Sequence, residues 1–169
     1  MSSGNSKRYA ASRWTAATIL AGMLILVSGT TAKAESDGAE YYDSLKGTWR
    51  AQLTIIDCDT KAVLRSFPAK FSFAEGGTLT VTTAGQPPSQ NTAGLGVWNY
   101  MYGRTYSAVS EAFVFSPTGV WTSTQRLTRV ITLSRDGRRY TDLVALQILD
   151  TNGNVIVTGC GTSSARRME

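Results

Sequence analysis

Four polar side chains fall within stretches that otherwise read as apolar strand faces: Glu111, Gln125, Arg129 and Asp142. Glu111 alternates with Val109, Phe113 and Phe115, and Arg129 shares a face with Trp121, Leu127, Ile131 and Leu133. A charge on such a face is costly unless it is paired or protonated. An arginine and a carboxylate there can form an internal ion pair or hold the polar head of an amphipathic ligand. A carboxylate at Glu111 could also serve as the general acid or base of an isomerase. The chain has no histidine, which removes the usual Ser-His-Asp and Cys-His nucleophiles. It contains no G-x-S-x-G, P-loop or dinucleotide-binding G-x-G-x-x-G context. Two cysteines without histidine make a poor zinc set, so no metal and no cofactor is expected.

The turns suggest how these residues meet. If "RDGR" from Arg135 is a tight hairpin, Leu133 faces Tyr140, Ile131 faces Asp142 and Arg129 faces Val144. Arg129 and Asp142 are then diagonal neighbours within reach of long side chains. Counting back from "SPTG" places Gln125 opposite Glu111. The expected interior is apolar and aromatic, with Phe71, Phe73, Trp98 and Phe113 beside the polar strip. The opposite strand parity would put the strip in water, and a small barrel can be filled by its own side chains.

The elements that must position this strip are all strands. "TWRAQLTIID" sets Trp49, Ala51, Leu53 and Ile55 against Arg50, Gln52 and Thr54, and "FPAKFSF" sets Phe67, Ala69, Phe71 and Phe73 against Pro68, Lys70 and Ser72. Alternation with one apolar face indicates half-buried antiparallel strands. Leu79 and Val81 continue the pattern after the "AEGGT" turn, and further strands run through "GVWNYMY", "TYSAVSEAFVF", "VWTSTQRLTRVITLS", "RYTDLVALQIL" and "NVIVTGCGTS". Short turns rich in Gly, Asp, Asn and Pro join most of them; "AGQPPSQNTAG" is the longest loop. Eight strands in sequence order leave two edges to hide, and closure into an all-β, eight-stranded antiparallel up-and-down barrel removes both. An open sandwich is the alternative.

The N-terminal third is organised differently. Lys7, Arg8 and Arg13 precede an apolar run from Thr15 to Val27, and Ala32-Lys33-Ala34 follows. A basic start, a short apolar run and A-x-A describe a secretory signal peptide over 1–34; an uncleaved anchor is the alternative, for which the run is short. A polar lead-in occupies 35–46 and the barrel domain 47–169. The chain has 17 Lys and Arg against 12 Asp and Glu, and losing the four cations before the cut leaves 13 against 12. That balance gives no reason to expect a nucleic-acid partner, and no stable membrane anchor remains after cleavage. The expected location is periplasmic or extracellular. There Cys58 and Cys160 read as a disulfide, and it would join the first strand to the eighth.

"Leu45-Lys46-Gly47-Thr48-Trp49" resembles the G-x-W signature of lipocalins and the wider calycin barrels. The chain from Gly47 to Arg167 also looks like exported bacterial proteins with a lipocalin-like or allene-oxide-cyclase-like barrel. "F-x-F-x-E-G-G-T", "G-x-G-x-W" at Gly94 to Trp98, "D-x-N-G-N-V" from Asp150 and "G-C-G-T" carry that similarity. The resemblance implies that Trp49 packs across a closed end with an arginine over its ring, supplied by Arg166 or Arg167. It implies a fold and no particular activity. The expected function is the binding of a small apolar or amphipathic molecule. The alternatives are an allene-oxide-cyclase-like isomerase or cyclase and a protein-binding barrel such as a protease inhibitor, with the lead-in as the inserting segment.

Overall fold

The computed structural model describes residues 45–169; the expected signal segment and all of the lead-in before Leu45 lie outside the described residues. Eight strands follow one another: β1 (Gly47–Ile56), β2 (Val63–Phe73), β3 (Thr78–Thr83), β4 (Gly94–Tyr102), β5 (Thr105–Phe115), β6 (Trp121–Leu133), β7 (Arg139–Leu149) and β8 (Val155–Arg167). Each pairs antiparallel with its neighbours in sequence, and β1 closes on β8. The architecture is a closed eight-stranded up-and-down barrel, so every strand has two partners and the open sandwich is excluded.

Alternation decides which side chains fill it. Trp49, Ala51 and Leu53 of β1 and Ala69, Phe71 and Phe73 of β2 are buried, while Arg50, Gln52, Lys70 and Ser72 between them are exposed. The core continues through Leu79, Val81, Trp98, Tyr106, Ala108, Ile131, Leu133, Tyr140 and Ala165. The turns carry the expected chemistry. Asp136 and Asp150 accept backbone N–H groups within their hairpins, as Asn and Asp do when they stand in for a turn.

Closure is stapled at one end of the seam. Ile56 pairs with Cys160, and the Cys58–Cys160 disulfide has a Cα–Cα distance of 5.2 Å. At the other end β8 runs further than its sequence pattern suggests. "SSARR" belongs to the strand, because β1 offers it partners: Ala51 pairs with Ala165, Arg50 with Arg166 and Trp49 with Arg167.

One register differs from expectation. The β6–β7 pairing is the expected one, with Leu133 on Tyr140, Ile131 on Asp142 and Arg129 on Val144. The β5–β6 pairing is shifted: Glu111 pairs with Arg126, and Gln125 with Ala112. Val114 pairs with Ser123 but Phe115 with Trp121, so Thr122 is an extra residue in a β-bulge. The hydroxyl of Thr122 donates to the carbonyl of Val114 at 3.1 Å across this irregularity. Because side chains alternate, a slip of one residue turns β5 over.

Candidate functional site

The slip separates the four polar residues into two pairs. Tyr106, Ala108, Ser110 and Ala112 point inward from β5, and Glu111 and Phe113 point outward. Glu111 is therefore on the outer face, contrary to expectation, where its carboxylate takes Nε and Nη2 of Arg126, each at 2.6 Å. Phe113, expected inside, is 52% exposed and packs edge-on against Trp121 with ring centroids 5.8 Å apart. An interior acid or base at Glu111 has no place in this geometry.

Arg129 and Asp142 are inside. Their side chains have no solvent exposure, and Nη1 of Arg129 donates to Oδ2 of Asp142 at 2.5 Å. The other carboxylate oxygen, Oδ1, accepts the backbone N–H of Ser163 at 2.6 Å and the hydroxyl of Ser163 at 2.7 Å. Asp142 is thus held from β6 on one side and β8 on the other. The Arg129 guanidinium lies over the ring of Phe71, 4.5 Å from its centroid, a cation–π contact that replaces part of the lost hydration.

This pair leaves donors over. Nε and Nη2 of Arg129 are buried without a hydrogen-bond partner, as is the hydroxyl of Tyr140. Burial, with the Asp142 carboxylate adding to it, pushes the Tyr140 phenol far above its ordinary value. The phenol therefore stays protonated and able to donate. Nε and Nη2 share one edge of the guanidinium plane, so their N–H bonds form a fork aimed at a single acceptor group.

Around this centre the barrel has two different ends. Toward the β2–β3 turn lie Trp49, Phe73, Trp98, Tyr106 and Tyr140, all nearly inaccessible. Trp49 and Tyr140 meet edge-on at 5.0 Å, and Phe73 contacts Trp98 at 6.0 Å and Tyr140 at 6.1 Å. Both indoles are satisfied: Trp49 donates to the carbonyl of Leu45 and Trp98 to that of Ala74, each at 3.0 Å. Phe71, Phe73 and Trp98 are inside as expected, but Phe73 and Trp98 are packed into this plug. Arg167 is the arginine over Trp49, 4.3 Å from the ring centroid. It also donates through Nη1 to the carbonyl of Lys46 and through Nε to that of Gly137. Arg166 is on the outer face. Gly47 precedes Thr48 and Trp49 because it takes φ +119, and a Cβ there would come within 2.7 Å of Nη1 of Arg167.

The other end is lined by smaller and wetter groups. Ile55, Phe67, Thr83, Gln125, Leu146 and Ile148 are half-buried. Between Val81, Gly94, Ser110, Ala112, Gln125 and Leu127 there is a cavity of about 10 Å³. That is about room for one water. Gln125 is inside as expected, though opposite Ala112 rather than Glu111.

Sequence reasoning passed over Tyr140 and Ser163. Tyr140 carried a usable signal, since its inferred place opposite Leu133 set it on the same face as Asp142. Ser163 carried none, because a serine near a strand end looks like any other. No protein-family model and no curated protein matches the chain.

Proposed function

We propose that this protein is an exported, non-catalytic binding barrel that takes a small amphipathic guest. The guest enters from the Gln125 end and sets a neutral carbonyl-type acceptor on Arg129. The observation that carries this reading is the buried, unpartnered Nε–Nη2 fork of Arg129. An unsatisfied buried donor costs about 1–3 kcal/mol, so an acceptor brought to it is favoured. Charge selects the kind of acceptor. Arg129 and Asp142 already neutralise each other, and a guest carboxylate would bury a second negative charge with no cation to match it. A ketone, ester or amide fits without that cost.

Size selects too. The cavity beside Gln125 holds little more than a water, so a larger guest must displace the side chains of Gln125 or Leu127. This reading favours a small guest over a bulky lipophile. Export is supported by the leader-like N-terminus and by a disulfide, which persists in oxidising compartments.

Native mass spectrometry of the purified protein, with thermal melting against a panel of small ketones, esters, amides and matched carboxylates, tests the reading. Neutral carbonyl compounds should raise the melting temperature and the carboxylates should not. A conservative Leu127→Met change, which keeps the apolar volume, should alter which chain lengths are accepted. If the polypeptide carries no guest and no panel member moves the transition, the fork holds water only and the reading is wrong.

A further inference from the structure

The outer face opposite this site carries a feature that the interior does not explain. Lys70 of β2 pairs with Arg50 of β1, Arg50 with Arg166 of β8, and Arg166 with Arg139 of β7. Four cations therefore stand directly opposite one another across four adjacent strands. All four are exposed, and none forms an ion pair with any described residue. The only acid on these four strands is Asp142, which points inside. Like charges directly opposite in a sheet are destabilising, so the row works against the fold.

The charge is also segregated along the chain. The first 44 residues hold four cations and four acids, which leaves 13 against 8 for residues 45–169. A groove of about 1070 Å³ runs along Arg50, Arg166 and Arg139 at the closed end, with Arg104, Arg167 and the C-terminal Glu169 also on its walls.

The neighbours of the row indicate the class of partner. Gln52 pairs with Ser164 and Ser164 with Thr141, giving a parallel row of amide and hydroxyl groups two residues along. Every aromatic side chain of β1, β2 and β7 points inward, and β8 has none. A surface for single-stranded nucleic acid stacks bases on aromatic rings, and one that enters a bilayer presents apolar side chains at its centre. Neither row has a ring, and the exposed apolar side chains of these strands, Leu143 and farther along Val63, Leu64, Val155, Ile156 and Val157, lie beyond the two rows toward the disulfide end. Arginines that can fork onto carboxylates, beside groups that can bond to hydroxyls, match a sugar polymer bearing acids. Adjacent strands are about 4.8 Å apart, a spacing on the scale of one pyranose unit along a chain.

We propose that the β7–β8–β1–β2 outer face binds a linear acidic polysaccharide along the Lys70–Arg50–Arg166–Arg139 row. The proposal is independent of the interior site.

Binding of the purified protein to polygalacturonate, neutral dextran, oligothymidylate and phosphatidylserine-containing vesicles tests it. Polygalacturonate should bind, weaken as salt rises, and exceed the other three. The double variant Arg50→Gln/Arg166→Gln should lose about tenfold in affinity, taking exposed charge pairs at the upper end of their usual worth. Its melting temperature should hold or rise, because repulsion is relieved. Unchanged binding by that variant overturns the proposal, as does equal or tighter binding of oligothymidylate or vesicles. A third outcome also overturns it. If polygalacturonate binds only after Glu35, Asp37, Glu40 and Asp43 are changed to their amides, the chain's own acidic segment occupies the row.

Discussion

The same eight strands run through both ends of this barrel, yet the ends are packed differently. At one, five aromatic side chains pack together with both indoles donating to carbonyls and the Tyr140 hydroxyl left without a partner, and Arg167 covers Trp49 from outside. At the other, Gly94, Ser110 and Ala112 leave space against Gln125, and the rim residues are half wet. Arg129 and Asp142 mark the boundary, with the Arg129 guanidinium over Phe71. The contrast teaches that a small barrel can close without packing both of its ends alike. Large rings shut one end, and small residues leave room above the plug at the other.

The largest test of this contrast is a pair of truncations. Trp49→Ala removes a fully buried ring and should cost about 3–5 kcal/mol. Ile55→Ala, on the same face of β1 at the wetter end, should cost about 1–2 kcal/mol because less surface is lost. Urea unfolding of both variants reads the difference. Equal losses would mean that the two ends are packed alike.

The disulfide comes next. It ties β1 to β8 at the wetter end and spans 102 residues. Replacing both Cys58 and Cys160 by serine should cost about 2–5 kcal/mol. Hydrogen exchange should quicken around Ile56 and Val155–Cys160 and stay slow around Trp49 and Tyr140. Uniform quickening would show that the ends open together, and the separation argued above would fail.

A smaller effect distinguishes the two C-terminal arginines. Arg167→Ala removes a cation–π contact and two hydrogen bonds to carbonyls, so a loss of about 1–3 kcal/mol is expected. Arg166→Ala should be near neutral or slightly stabilising, since Arg166 sits between Arg50 and Arg139. Matched thermal melts check this pair, and a reversed order would place the plug's cover at the wrong arginine.

What could be read from the residues follows the same divide. The closed end was legible: Gly47, Trp49 and an arginine near the C-terminus follow from a motif, and the β6–β7 register follows from the tight "RDGR" turn. The β5–β6 register was not legible. The extra residue at Thr122 has no distinctive sequence mark, and a slip of one position exchanges the two faces of a strand. That is why Glu111 and Phe113 were expected inside. The cation row was missed for another reason. Net charge summed along the chain hides it, because the acids of the lead-in offset the excess on the barrel; only the register puts Lys70, Arg50, Arg166 and Arg139 side by side.

The smallest expected effect is one that the two ends should share. Asp57 and Asp150 lie in turns at the wetter end and Asp136 at the closed end, and hydrogen bonds within each turn hold all three carboxyls below their usual value of 3.8. A carboxyl that is more acidic when folded contributes stability above its unfolded pKa, and the contribution disappears as pH falls through the lowered folded value. Stability should therefore stay level from neutral pH to about 5 and decline gently below about 4. Asp150→Asn and Asp136→Asn should each remove a similar small part of that decline, since amides do not titrate there. Denaturant midpoints measured across the acid range give the slopes. If one variant flattened the curve and the other did not, turn chemistry as well as packing would differ between the ends, and the contrast could no longer be assigned to the side chains inside the barrel.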